Sequence, residues 1–205
     1  MDYPGIRKEL LAVCRQLPAN NLATGSTGNI SARDNESGNI VIKRSSVPYD
    51  VMTEEDFIVV DMDGKVLSAP GGGKPSFETP THLALYQADP EIRSVLHTHI
   101  PMTIVLSASR DHIESNLTPT SRRLLKRPLP VIPFVENGTE EMAVRVTEAI
   151  RGNVGMVIRN HGPFVIGDSI QTAFERTIAL RDASELYYHM ILIGKPSLVP
   201  PLEQA

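Results

Sequence analysis

"SVLHTHIP", residues 94–101, is the stretch from which the rest of this chain can be read. Val95, Leu96 and His97 read as an extended strand, in which side chains alternate faces. His97 and His99 then point the same way, with Cα atoms ~6.5 Å apart. Two imidazoles at that spacing suit one divalent metal; they also suit a polar strand end facing water. Working outward, Thr79 reads as the N-cap and Pro80 as N1 of a helix to about Gln87, and Pro101 opens another to about Ala108. Upstream, residues 4–17 carry a helical stripe of Ile6, Leu10, Leu11, Val13 and Cys14. "NIVIK" (39–43), "DFIVVD" (56–61) and "KVLSAP" (65–70) read as short strands separated by Gly38 and "DMDG" (61–64). The Thr-x-x-Asp spacing in "MTEED" caps a short turn. Downstream, residues 110–130 are polar, then basic, and give no assignment, while "LPVIPF" (129–134) is a short strand. Residues 138–150 form a helix capped by Thr139, and "GMVIRNHGPFVIG" (155–167) is two strands about a turn at Asn160–Pro163. A long helix runs from Asp168 or Ser169 to Ile193, closed by Gly194 at C′ with Pro196 beyond. There is no internal repeat and no linker long enough to divide domains. Helices and hairpins around one sheet predict an α/β fold: a single domain over 1–205, a three-layer α/β/α sandwich around a mixed sheet rich in antiparallel pairs.

Composition narrows the function. In 205 residues, 41% are hydrophobic and 21% charged, ordinary proportions for a globular protein with a sizeable core. A net charge of −4 and a pI near 5.9 argue against a general nucleic-acid binder or an anionic-membrane binder. Cys14, the single cysteine, excludes an internal disulfide and fits a reducing compartment. "MDYPGIRKELLAVCRQL" mixes charges from its start and has no continuous apolar core, so neither a signal peptide nor a membrane span is expected. A cytoplasmic protein is the expectation.

A third histidine turns the pair into a site. His161, in "IRNHGPF", follows an apolar strand and precedes Gly162 and Pro163, where a tight turn holds a side chain on rigid support. Glu78, in "KPSFE", lies at the entrance of the Pro80 helix. Three imidazoles and one carboxylate make a competent Zn²⁺ shell, and a carboxylate at a mobile helix entrance is the ligand most able to yield to substrate. Glu78 also suits the positive end of that helix, and His161 a bond to backbone. His82, four residues beyond Glu78, reads as structural; His112 and His189 read as background. A second constellation suits anions. "GSTGNIS" (25–31) has two glycines that permit positive φ, so successive backbone N–H groups can form a nest for phosphate. It is neither a Walker loop nor a dinucleotide fingerprint. Beside it, "KRSS" (43–46) and "KPS" (74–76) bring Lys43, Ser45, Ser46 and Ser76 to complete a cup for a monophosphate.

The ordered set "GSTGNIS", "KPSFE", "HTH" and "NHGPF", followed by a long C-terminal helix, resembles the class II aldolase/adducin-head family over roughly residues 5–193. That resemblance implies a mostly antiparallel nine-stranded sheet between helices, His97, His99 and His161 as zinc ligands, and Glu78 as a displaceable fourth ligand and the acid/base. It implies that Gly28, Asn29, Ser45, Ser46 and Ser76 hold the substrate phosphate, and that subunits form a cyclic homotetramer with sites at their boundaries. Three departures stand out. Phe77 occupies the place of a second Ser usual in the aldolases; Glu78 stands where the epimerase branch has Asp; and residues 110–130 contain no Tyr to act as the aldolase proton donor. The epimerase's C-terminal Tyr lies on a segment this sequence does not include.

The activity expected is that of a metal-dependent aldehyde-lyase. One Zn²⁺ per chain (Mn²⁺ or Co²⁺ as replacements) acts as Lewis acid for a ketose phosphate while retro-aldol cleavage passes through a metal-stabilised enediolate. Glu78 transfers the proton. A keto-acid decarboxylase, with Arg122 or Arg123 meeting the carboxylate, and a pentulose-phosphate 4-epimerase use the same metal shell. A non-catalytic adducin-like binding module is the alternative from another class.

Overall fold

The computed structural model describes residues 3–194 and 196–200. Helices α1 (Pro4–Cys14), α2 (Thr79–Ala88), α3 (Pro101–Ser107), α4 (Pro119–Leu125), α5 (Glu140–Ile150) and α6 (Ile170–Leu192) alternate with nine strands. The strands are β1 (Asn29–Arg33), β2 (Ile40–Lys43), β3 (Phe57–Val60), β4 (Val66–Ser68), β5 (Ser94–His97), β6 (His112–Ile113), β7 (Leu129–Ile132), β8 (Gly155–Ile158) and β9 (Gly162–Gly167). They form one sheet in the order β4-β3-β2-β1-β5-β9-β8-β7-β6. Every neighbouring pair is antiparallel except β7–β8.

The apolar runs explain the layers. A strand covered on both faces needs apolar side chains at every position. In β2 and β3, Val41, Phe57 and Val59 join a cluster with Leu10, Leu106, Leu125 and Leu180, which places α1, α3, α4 and α6 on one face. Ile40, Ile42, Ile58 and Val60 join Leu85, Tyr86, Met142 and Val146, which places α2 and α5 on the other. The result is a three-layer sandwich around a mixed, mostly antiparallel sheet.

Four local expectations change. β1 falls partly within the stretch read as an anion loop, because Asn29 and Ser31 face inward beside polar partners while Ile30 and Ala32 enter the core. Helix α1 stops at Cys14 rather than near residue 17. Glu78, not Thr79, is the N-cap of α2; the Thr79 hydroxyl instead donates to the Ser76 carbonyl at 2.6 Å. β5 ends at His97, so His99 lies beyond the strand. Residues 110–130 resolve into β6 and α4, whose first turn is capped by Thr118 accepting from the Ser121 N–H. The Thr53–Asp56 turn, the Thr139 cap and the Gly194 stop (φ 72°) form as the spacing predicts.

Candidate metal centre and anion pocket

β5 lies at the middle of the sheet, and His97 is its last residue, opposite Asn29 of β1 and Phe164 of β9. Its ring stacks on Phe164, with centroids 4.3 Å apart. The His97 Nδ1–H donates to the Pro163 carbonyl at 2.9 Å, which leaves Nε2 bare. The chain then turns, and the His99 N–H bonds the Leu22 carbonyl at 3.0 Å. His161 comes from the β8–β9 turn, after Asn160 in a left-handed conformation (φ 58°). Two glycines permit this assembly. Gly162 (φ 155°) lies so close to Thr98 that a Cβ would sit 2.2 Å from its carbonyl, and a Cβ on Gly28 (φ 74°) would sit 2.6 Å from the His97 carbonyl. Side chains at either position would push the His161 turn or the β1 loop off the backbone of His97–Thr98.

His97, His99 and His161 each direct a nitrogen to a common point, all within 4.8 Å of one another. The Nε2 atoms of His97 and His99 are 3.1 Å apart. Burial lowers the pKa of all three: His97 to about 3, His161 to about 4, and His99 in the same direction. The cluster is therefore neutral near pH 7, and neutral imidazole nitrogens gathered at one point suit a cation between them.

Glu78 closes the fourth side. Its Oε2 accepts from Asn29 Nδ2 at 2.5 Å and lies 3.4 Å from His97 Nε2. Its Oε1 lies 3.7 Å from His161 Nε2, is buried, and has no hydrogen-bond partner among the described residues. An orphaned carboxylate oxygen facing neutral imidazoles fits a divalent metal. Burial pushes the Glu78 carboxyl above the usual carboxylate range, against the pull of the Asn29 hydrogen bond and of His161 and His99. A carboxyl poised in that way can take and return a proton.

Beside this cluster lies a cavity of about 190 Å³. Gly28, Asn29, Lys43, Ser45, Ser46 and Ser76 line it, with Glu78, His99 and His161 at one end. His97 sits behind them, fully buried. Each residue read from the sequence as a metal or phosphate contact is thus at one place, whereas His82, His112 and His189 lie off the cavity wall. Lys43 is 1% exposed, and its ammonium meets only the Ser26 and Arg44 carbonyls, each at 3.4 Å, and the Tyr49 ring at 5.0 Å. No carboxylate pairs with it among the described residues, and burial lowers its pKa. Asp56 pulls in the opposite direction but pairs with Arg44, so Lys43 is a buried cation with no direct carboxylate partner among the described residues, beside a polar cavity.

Sequence reasoning missed Asn137 and Tyr49, and it noted Phe77 only as a departure from the aldolase pattern. Asn137 reaches the cavity from the loop before α5, and no local motif marks it. Tyr49 donates to the Thr27 carbonyl at 2.9 Å while its ring backs Lys43, a role set by tertiary contact. Phe77 lines the cavity yet is 79% exposed, so an aromatic face stands at its mouth.

An α/β/α sandwich with three converging imidazoles and a carboxylate at the end of its central strand, opening on a polar cavity, has the donor set of a metal-dependent enzyme. Residues 8–188 match the family model of the Class II Aldolase and Adducin N-terminal domain, and the chain belongs to that family, whose enzymes generally use a divalent metal. It is 31% identical over 194 residues to the L-ribulose-5-phosphate 4-epimerase UlaF of Salmonella paratyphi C, covering 88% of this chain and 83% of that one. It is 30% identical over 183 residues to an L-fuculose phosphate aldolase of Methanococcus maripaludis, covering 89% and 96%. In structure it matches an L-fuculose 1-phosphate aldolase with a TM-score of 0.90 at 24% identity, over 98% of this chain and 92% of that one.

Proposed function

We propose that this chain is a zinc-dependent class II aldolase that cleaves a sugar phosphate by retro-aldol C–C bond cleavage, acting as a single class II aldolase-like domain over 1–205. The observation that carries the reading is the juxtaposition of three neutral imidazoles, an orphaned carboxylate oxygen and an unpaired buried lysine along one cavity. His97, His99 and His161 hold the ion, with Glu78 as the ligand that yields to substrate. A bound divalent ion supplies Lewis-acid stabilisation of the negative charge that builds on a ketose carbonyl oxygen as the bond breaks. Glu78 would then deliver a proton to the carbon from which the bond broke, completing the released ketone fragment. Lys43, Ser45, Ser46 and Ser76 bind the phosphate with the Gly28–Asn29 backbone, fixing the sugar's reacting end against the histidines. We place the enzyme in the cytoplasm as a cyclic homotetramer, with no nucleic-acid or membrane partner. Among the described residues no helix is long and apolar enough to cross a membrane.

One observation favours a second reading. Among the described residues no tyrosine lines the cavity. Retro-aldol cleavage needs a group to take the proton from the hydroxyl that becomes the aldehyde, whereas a decarboxylase that stabilises the same enolate after losing CO₂ needs no such group. Incubating metal-assayed protein with a panel of ketose phosphates, pentulose phosphates and keto acids separates the chemistries. Release of an enolisable phosphate ester with an aldehyde supports the aldolase; CO₂ from a keto acid, or an epimerised pentulose phosphate as the sole product, overturns it.

A further inference from the structure

From Asn29, on the cavity wall beside Glu78, a chain of buried polar side chains runs inward, away from the cavity. Asn29 bonds His82, whose Nε2 is 2.5 Å from Asn29 Oδ1. His82 Nδ1 is 2.6 Å from Ser31 Oγ, which in turn is 2.8 Å from the Tyr86 hydroxyl. Asn29 is 5% exposed, His82 and Ser31 are fully buried, and Tyr86 is 1% exposed. The carboxylate end dictates every direction in this chain. An ionised Glu78 only accepts, so the Asn29 NH₂ must face it and Asn29 Oδ1 must face His82. His82 Nε2 therefore carries the proton, Nδ1 accepts from the Ser31 hydroxyl, and the Tyr86 hydroxyl donates to Ser31.

We infer that His82 is a positioning residue that locks the Asn29 amide in this orientation and, through it, holds the Glu78 carboxylate with Oε2 beside His97 and Oε1 beside His161. The inference rests on the metal-site reading above but concerns a residue outside the cavity wall. The chain ends on a buried phenol whose pKa is raised by burial, so it braces the carboxylate and offers no exit for a proton. Reversing the histidine tautomer would turn the amide, set Asn29 Oδ1 against the carboxylate and expel Glu78 from its place.

Two experiments test the brace. Neutron diffraction from the protein as purified should show a deuteron on His82 Nε2, none on Nδ1, and the Asn29 ND₂ group toward Glu78. A deuteron on Nδ1, or a reversed amide, overturns the inference whatever reaction the protein catalyses. In turnover of the substrate found by the panel, His82→Phe keeps a ring against Phe164 (centroids 5.9 Å apart) but removes both hydrogen bonds. It should lower kcat about 10–100-fold, with KM within about twofold and metal content unchanged. His82→Gln, whose amide can still donate to Asn29, should recover most of kcat. A His82→Phe protein as fast as the parent, or a His82→Gln protein as slow as His82→Phe, contradicts the brace. Absence of turnover in the parent itself would count against the aldolase reading and leave the neutron result to decide this one.

Discussion

At the scale of single residues, the site depends on groups kept neutral or unpaired by burial. Glu78→Gln preserves size and the three imidazoles, so the metal should stay while turnover falls by about 10²–10⁴-fold, the usual worth of general acid–base catalysis. Metal analysis and steady-state rates on the same sample check this, and an unchanged rate would move the proton transfer to another group. His82 and His97 carry a pH signature. Both have folded-state pKa values of about 3, below the ordinary 6.5, because burial disfavours the charged ring. Between those values the unfolded chain binds more protons than the folded one. The stability they contribute is complete above pH ~6.5 and drains away as pH falls toward 3. Urea midpoints of the metal-free protein should therefore drop steadily from pH 7 to pH 4, and His82→Gln should flatten part of the slope. The histidine pair and "NHGPF" were legible as a site because few residue types carry this chemistry. His82 showed its structural character but not its partners, since Ser31, 51 residues away in sequence, meets it only in the folded sheet.

Among the elements, the β1 loop and the β8–β9 turn approach the His97–Thr98 backbone as closely as they do because Gly28 and Gly162 carry no Cβ. Gly28→Ala must place a methyl group where 2.6 Å separates it from the His97 carbonyl, at a φ of 74°. It should destabilise the fold by more than ~1 kcal/mol and weaken the anion cup as well, read by thermal melts and by inhibition with inorganic phosphate. Lys43→Met keeps the stem and removes the charge; phosphate inhibition should weaken at least ~10-fold with metal content intact. Phosphate competing equally well in the variant would separate Lys43 from anion binding. Most elements could be read from the sequence because helices and doubly covered strands have distinct apolar periods. β1 hid because the side chains facing its partners are Asn29 and Ser31, which sequence reads as loop. α4 hid because its seven residues are too few to show a period, although Thr118 and Pro119 marked its start.

At the scale of the whole molecule, the exposed face of Phe77 and the lack of a tyrosine at the cavity among the described residues are the features that a second subunit would complete. Light scattering at micromolar concentration should give the mass of four chains, with each interface burying more than ~1,000 Å². An active monomer would confine the whole site to one chain. The sandwich itself was legible, since its layers follow from local patterns; assembly was not, because an interface leaves no period in sequence. The central claim is that His97, His99 and His161 together hold one divalent ion, and native mass spectrometry of the purified protein beside His99→Ala tests it most directly. The account predicts one tightly bound ion per chain in the parent and none in a folded His99→Ala protein. A parent that carries no ion, or a His99→Ala protein that carries as much as the parent, would contradict it.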